Sequence, residues 1–313
     1  MKFSRYLILA LKGCAMGMAD VVPGVSGGTI AFISGIYEEL IDSIRSVDFQ
    51  ALKLLGRGRF GEFWRHINGR FLLPVLLGIA VAIFSLARLM TYLLTNHPIA
   101  IWSFFFGLII ASALLVAKQI GKWNFQTAVA LVVGAAAAWW ITVATPAETP
   151  NDWWFVMLSG AIAICAMILP GISGAFILLL LGKYQYIMHA VGTLDIPVIV
   201  IFVIGAAAGI ISFSHLLSWL LKHHHDVTVA VLMGFMVGSL NKVWPWKEVV
   251  ETYTDSHGEI QPLVESNVLP TTFEQLSGQP ALLAEAAGLC LVGFLAIYGL
   301  EIMARTVLKK REE

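Results

Sequence analysis

The sequence predicts an all-α integral membrane protein: an inverted-topology repeat with two re-entrant helical hairpins and about six full transmembrane helices. Three observations lead to this fold class, namely the apolar composition, the one-sided placement of basic residues and a motif that occurs twice. The chain has 313 residues, of which 58% are hydrophobic and 13% are charged, and its mean hydropathy is +0.81. Soluble domains average about 25% charged residues, so this composition excludes an ordinary soluble enzyme.

Apolar segments follow one another along nearly the whole chain, and most are long enough to cross a bilayer, which takes about 20 apolar residues. They cover residues 5–22, 25–44, 71–94, 98–117, 124–145, 153–169, 172–191, 196–221, 227–245 and 281–304. Three polar stretches interrupt them: a basic one at 45–70, a short acidic one at 146–152 and a long acidic one at 246–280.

Basic residues indicate how these segments are oriented, because cytoplasmic loops of membrane proteins are rich in Lys and Arg. They cluster at the N-terminus, in 45–70 and at the C-terminus. If the segments 5–44 and 153–191 each enter the membrane and return on the side they came from, every basic cluster falls on one side. We therefore expect both termini in the cytoplasm and the acidic stretch 246–280 outside.

A repeated motif divides the chain into two halves. PGVSGG at 23–28 returns as PGISGA at 170–175, and further on Arg88 aligns with His215. Each half holds five apolar segments, an odd number, so two halves in tandem must have opposite orientations, as in many secondary transporters. The predicted repeats are residues 1–150, with hairpin 5–44 and three spans, and residues 151–313, with hairpin 153–191, three spans and the extracytoplasmic insertion 246–280.

Each copy of the motif is expected to break a helix and start a new one. Pro ends the preceding helix, Gly allows the turn, and Ser caps the next helix, whose first amides would then be free to bind phosphate. Interrupted helices at membrane depth must be buried or line a wet cavity. Because the two hairpins enter from opposite faces, their tips should meet near the midplane. The plainer interpretation is a tight hairpin without a ligand. The turn-forming residues are Pro23, Gly24, Pro170 and Gly171, and the phosphate-binding candidates are Ser26, Gly27, Gly28, Thr29, Ser173, Gly174 and Ala175.

Charged and titratable residues within the apolar segments are further candidates. Arg88 is either a bidentate phosphate partner or a side chain that extends to the outer interface. Asp20, Glu38, Glu39 and His215 are candidates for binding a coupling ion. For the two glutamates an interfacial position is the alternative, and for the histidine a position in the core.

Other chemistries have no sequence signal here. Walker, Rossmann and H-E-x-x-H motifs do not occur in the sequence, and their absence argues against ATP-driven transport by this chain. We expect no catalytic residue, no metal ion, no cofactor and no nucleic-acid partner.

The paired motifs and the flanking pattern KGxxMGxADxxPGVSGGT at 12–29 resemble the bacterial polyprenyl-phosphate transporters (PopT), a family long described only as a membrane domain of unknown function. The resemblance covers nearly the whole chain. It implies a flippase that returns undecaprenyl phosphate, the lipid carrier of cell-wall precursors, from the outer to the inner leaflet of the cytoplasmic membrane. It also implies that residues 23–29 hold the headgroup, with the second motif opposite.

Two alternatives of other classes remain. Undecaprenyl-diphosphate phosphatases carry a Pro-Gly-x-Ser-Arg-Ser pattern, but Gly27 and Gly174 stand here where that pattern has arginine. The second alternative is a secondary carrier of a small anion.

The charge of the lipid headgroup opposes its inward movement. A phosphomonoester carries about −1.5 to −2 charges, and moving it inward against a negative-inside membrane potential costs about 2.3 kcal/mol per charge per 100 mV. A flippase therefore needs co-transported H⁺ or Na⁺, or consumption of the lipid inside.

Overall fold

The computed structural model describes residues 2–20, 26–147, 149–254 and 260–309. The described chain is mostly helical, with one two-stranded sheet. Its elements are α1 (Lys2–Asp20), α2 (Gly27–Ile33), α3 (Tyr37–Arg45), α4 (Phe49–Gly56), α5 (Phe60–His66), α6 (Gly69–Asn96), α7 (Pro98–Ala117), α8 (Phe125–Val143), α9 (Trp153–Ile168), α10 (Gly174–Leu180), α11 (Tyr184–Thr193), α12 (Ile196–His223), α13 (His225–Ser239), β1 (Lys247–Thr254), β2 (Ile260–Asn267), α14 (Pro270–Ser277) and α15 (Leu283–Lys309).

Several of these helices are apolar enough to lie within a membrane. By length and composition α7, α8 and α12 can each cross one, and the number rises to five if each of two bent helix pairs counts as a single span. The helices α9 and α13 are equally apolar but shorter. The prediction of a helical membrane protein is confirmed, whereas the total of about six spans stays a prediction.

Both segments predicted to re-enter the membrane are bent rather than continuous. The chain turns between α2 and α3 at Gly35, whose φ is +70°, and between α10 and α11 at Gly182, whose φ is +61°. Glycine adopts such left-handed angles without steric cost. The chain bends by 108° between α10 and α11.

The basic stretch 45–70, predicted as a loop, contains the short helices α4 and α5. Asp48 caps α4, because its Oδ1 accepts a hydrogen bond from the amide of Ala51 at 2.9 Å. Phe49 in α4 is 81% exposed and Phe60 in α5 is 66% exposed. Basic residues interleaved with exposed aromatic side chains are typical of helices that lie at a membrane interface.

The acidic stretch 246–280, predicted only as a polar insertion, contains regular secondary structure in its described residues. Strands β1 and β2 form an antiparallel hairpin in which Lys247 lies opposite Asn267, and α14 follows. The indole of Trp246 is buried, and its Nε1 donates to the carbonyl oxygen of Ala281 at 2.9 Å. Trp246 packs with Ile99 of α7 and Ala286 of α15, so the insertion is attached to the ends of these two helices.

Glycines bring several pairs of helices into close contact. Gly13 of α1 lies against the carbonyl group of Val75 in α6, and Gly160 of α9 lies against that of Phe202 in α12. A side chain at either glycine would overlap the neighbouring backbone. Small residues allow such close packing of helices within membranes.

Two further glycine contacts join the first half of the chain to the second. Gly107 of α7 lies against the carbonyl group of Cys290 in α15, and Gly234 of α13 lies against that of Leu131 in α8. Helices from residues 1–150 thus pack closely against helices from residues 151–313. The two halves are interlocked rather than placed side by side.

Candidate functional site

The first copy of the motif starts α2 as its sequence predicts. Ser26 has an extended backbone, and its Oγ accepts a hydrogen bond from the amide of Gly28 at 3.0 Å. This is the geometry of an N-cap, so the predicted capping role of Ser26 is confirmed, whereas phosphate binding by Ser26 stays a prediction. Pro23 and Gly24, the predicted turn, lie outside the described residues.

The amides at the start of α2 are paired, and the expectation that they are free is wrong for this conformation. The amide of Gly27 donates to Oδ1 of Asp20 at 2.7 Å. The amide of Thr29 donates to the carbonyl oxygen of Ser26 at 2.9 Å. The reason is that Asp20, the last residue of α1, carries its carboxylate across the break to the start of α2.

The two helix breaks touch each other in the interior. Ser26 Oγ donates to the carbonyl oxygen of Met167 at 2.9 Å, and Thr29 Oγ1 accepts a hydrogen bond from the amide of Gly171 at 3.0 Å. The side chains of Ser26 and Thr29 are almost completely buried, at 1% exposure each. Gly28 lies directly against the carbonyl oxygen of Ile168, so no side chain fits between the breaks.

The second copy of the motif differs from the first. Gly171 has a φ of +86°, which requires glycine, and it faces Ser239 near the end of α13. Ser173 precedes α10, but its side chain makes no capping hydrogen bond. Within the described part of the chain, the structure gives no hydrogen-bond partner for the amides of Gly174 and the next two residues, Ala175 and Phe176. Met167 aligns with Asp20, so this break has no equivalent carboxylate.

Only one of the predicted coupling residues lies at the breaks. Asp20 does, through its bond to Gly27. Glu38 and Glu39 are exposed on α3, where Glu38 lies 3.6 Å from His225 Nε2 and Glu39 lies 3.7 Å from Arg5. The structure therefore does not bring these two glutamates together with Asp20.

The two aligned residues of the long helices are His215 and Arg88. His215 is exposed on α12, and its Nδ1 lies 2.8 Å from the carbonyl oxygen of Ile211, one turn earlier in the same helix. Arg88 belongs to α6, but its side chain lies outside the described part of the structure. Among the described residues, no group of three His, Cys, Asp or Glu side chains is arranged to hold a metal ion.

Sequence analysis missed two lysines next to the second break. Lys242 lies with its Nζ 4.8 Å from the ring centroid of Phe176, in the first turn of α10. Lys247 lies 3.8 Å from the ring centroid of Trp102. The segment NKVWPWK at 241–247 carried a usable signal, because it sets two cations among tryptophans within the acidic half of the chain.

The apolar helices and the buried contact between two helix breaks define a polytopic membrane protein with interrupted helices at its centre. Over residues 16–261 the sequence matches the family described as undecaprenyl phosphate translocase-like. The chain belongs to this family, and the resemblance noted in the sequence is confirmed.

Two curated relatives carry the same name. The chain is 48% identical to a polyprenyl-phosphate transporter of Vibrio cholerae over 300 residues, which cover 96% of this chain and 97% of the relative. It is 35% identical to a polyprenyl-phosphate transporter of Staphylococcus aureus over 253 residues, which cover 75% of this chain and 85% of that relative. No solved structure matches the chain.

Proposed function

We propose that this protein moves polyprenyl phosphate, undecaprenyl phosphate in particular, from the outer to the inner leaflet of the bacterial cytoplasmic membrane. The observation that carries the proposal is the buried contact between the two Pro-Gly-x-Ser-Gly breaks, through the Thr29–Gly171 and Ser26–Met167 hydrogen bonds. The family and the names of both relatives support the same substrate. The protein acts as a carrier and not as an enzyme.

Equivalent glycine contacts support an inverted-topology repeat. The motif alignment makes Gly13 equivalent to Gly160, and the alignment of Arg88 with His215 makes Val75 equivalent to Phe202. The close contacts between α1 and α6 and between α9 and α12 therefore use the same pair of positions. The contacts that join the two halves follow the same symmetry, because Gly107 aligns with Gly234. Gly107 lies against α15, the last helix of the second half, and Gly234 lies against α8, the last helix of the first half.

The phosphate binds at the starts of α2 and α10, one at each break. At the second break the free amides of Gly174, Ala175 and Phe176 attract an anion, because helix starts carry partial positive charge. At the first break the carboxylate of Asp20 holds the amide of Gly27, the position that a phosphate oxygen takes when Asp20 withdraws. Arg88 is the further partner whose guanidinium pairs with the phosphate.

Asp20 also offers a route for coupling. A carboxylate and a phosphate repel each other in a buried site, so binding of the lipid favours protonation of Asp20 and its release from Gly27. A proton then enters with each phosphate, which reduces the charge carried against the membrane potential. Both termini and the stretch 45–70 are cytoplasmic in this arrangement, following the positive-inside rule.

Reconstitution into liposomes tests the function. We expect labelled undecaprenyl phosphate to change leaflets only in vesicles that contain the protein, at a rate that increases when the receiving side is made alkaline. Leaflet position is read by quenching of the label from outside. Unchanged lipid distribution would contradict the proposal. Release of inorganic phosphate from undecaprenyl diphosphate would indicate a phosphatase, and inhibition by soluble anions but not by the lipid would indicate a small-anion carrier.

A further inference from the structure

Two lysines share one carboxylate oxygen beside the second helix break. Lys242 Nζ lies 3.0 Å and Lys247 Nζ 3.4 Å from Oε2 of Glu265. The exposed fractions of the three side chains are 17%, 7% and 19%, for Lys242, Lys247 and Glu265 in that order. These residues, named here the lysine cluster, place two cations and one anion in a mostly buried site. Among the described groups, one positive charge is left without an ionic partner.

Aromatic rings compensate this charge only in part. The Trp102 ring lies beneath Lys247 and the Phe176 ring beneath Lys242. A ring attracts a cation by its quadrupole, which is weaker than pairing with a full negative charge. Burial lowers the pKa of Lys247 to about 8, although Glu265 favours its charged form. The cluster therefore holds a positive charge that an anion would stabilise.

An apolar groove lies close to the lysine cluster, lined at one end by Asn241, the residue before Lys242. It has a volume of about 650 Å³ and runs between α8 and α13. Its walls are formed by Leu131, Val132, Ala135, Ala136 and Val237, and its polar end is formed by Asn241, Trp244 and Asn267.

Both asparagines tie the groove to the cluster. Asn241 precedes Lys242 in the chain, and Asn267 lies opposite Lys247 in the hairpin. The side chain of Asn267 also donates to the carbonyl oxygen of Asn241 at 2.7 Å. The polar end of the groove therefore lies next to the residues that carry the lysine cluster.

We propose that the lysine cluster and this groove form a loading site for the lipid, in which phosphate pairs with Lys242 and Lys247 and the first isoprene units lie in the groove. The inference rests on the proposed function. A phosphate fits the charge left over in the cluster, and a small polar anion would not use the groove. Each ammonium has three N–H donors, so both can bind phosphate while keeping Glu265. From this site the phosphate moves past Phe176 to the free amides of the second break.

Opposite charge changes at one site test the inference. Binding of undecaprenyl phosphate to the purified full chain in nanodiscs is compared for wild type, Lys247→Gln and Glu265→Gln. We expect Lys247→Gln to weaken binding about tenfold, since it removes a charge-assisted hydrogen bond. Glu265→Gln should strengthen binding, because it removes a negative charge that repels the phosphate beside both lysines. A purely structural ion cluster predicts no gain for Glu265→Gln, and that result would overturn the loading site.

Groove and phosphate contributions are separated with a second variant. Ala135→Trp fills the groove and leaves the lysine cluster untouched. It should weaken binding of undecaprenyl phosphate while leaving the weak binding of inorganic phosphate unchanged. Equal affinity of wild type and Ala135→Trp for the lipid would overturn the tail position. If the wild-type protein neither binds nor moves the lipid, the proposed function fails. If the wild-type protein does transport the lipid, and Lys247→Gln, Glu265→Gln and Ala135→Trp all bind it with unchanged affinity, only the loading site is overturned.

Discussion

Gly28→Leu is expected to reduce undecaprenyl phosphate transport to less than about a tenth of the wild-type rate. Gly28 lies against the carbonyl oxygen of Ile168, where the two helix breaks meet. A leucine there must push the breaks apart, and overpacking of this kind costs about 1–3 kcal/mol. The Ser26–Met167 and Thr29–Gly171 hydrogen bonds would be lost with it. Transport is measured in proteoliposomes at matched protein content.

Gly192→Leu is the matched control for this prediction. Gly192 is an exposed residue of α11, and a Cβ at this position would have no neighbouring atom within 4 Å, so the same substitution meets open space. Should Gly28→Leu fail to fold, Gly27→Ala serves instead, because its added carbon meets the carboxylate of Asp20 at 2.5 Å, the end of a side chain that can move. Normal transport by both break variants would mean that the motif is only a hairpin turn.

Asp20→Asn is expected to remove the response of transport to a pH gradient. Asparagine can still accept the hydrogen bond from Gly27, but it carries no charge and takes up no proton. Binding of undecaprenyl phosphate should become at least tenfold tighter near neutral pH, because a like charge about 4 Å from a phosphate in a protein costs a few kcal/mol and about 1.4 kcal/mol is a factor of ten. Uptake with and without an imposed pH difference measures the coupling, and equilibrium binding measures the affinity.

Glu38→Gln provides the comparison for Asp20→Asn. Glu38 is 67% exposed and lies on α3 away from the helix breaks, so the same loss of a carboxylate should leave the gradient response intact. If transport by Asp20→Asn still responded to the pH gradient, Asp20 would not be the coupling residue. Loss of coupling in Glu38→Gln would move the coupling site to the first turn of α3.

Sequence reasoning predicted the features that depend on a few neighbouring residues. The capping role of Ser26 follows from local chemistry, since Ser directly before a helix satisfies its first amides. The bends at Gly35 and Gly182 were not predicted, although they fall at aligned glycines of the two halves. The apolar segments predicted the helices, because their length and hydropathy are read directly from the sequence.

Other features depend on residues far apart in the chain. The Asp20–Gly27 bond depends on how the chain closes the break, which the motif letters do not specify. The lysine cluster exists only because β2 brings Glu265 to Lys242 and Lys247, and a charged hairpin has a weak strand pattern. The short helices α4 and α5 were hidden by their basic composition, which is also typical of a cytoplasmic loop.

The position of the bound phosphate tests the central claim most directly. A polyprenyl phosphate analogue with a photoreactive group beside the phosphate is added to the reconstituted protein, and adducts are mapped by peptide mass spectrometry. We expect adducts in both breaks, at residues 26–29 and 171–175. Excess unlabelled undecaprenyl phosphate should prevent these adducts by competition. Undecaprenol, which lacks the phosphate, should not. Adducts confined to the short helices α4 and α5, or adducts that undecaprenol prevents equally well, would contradict a phosphate site at the two helix breaks.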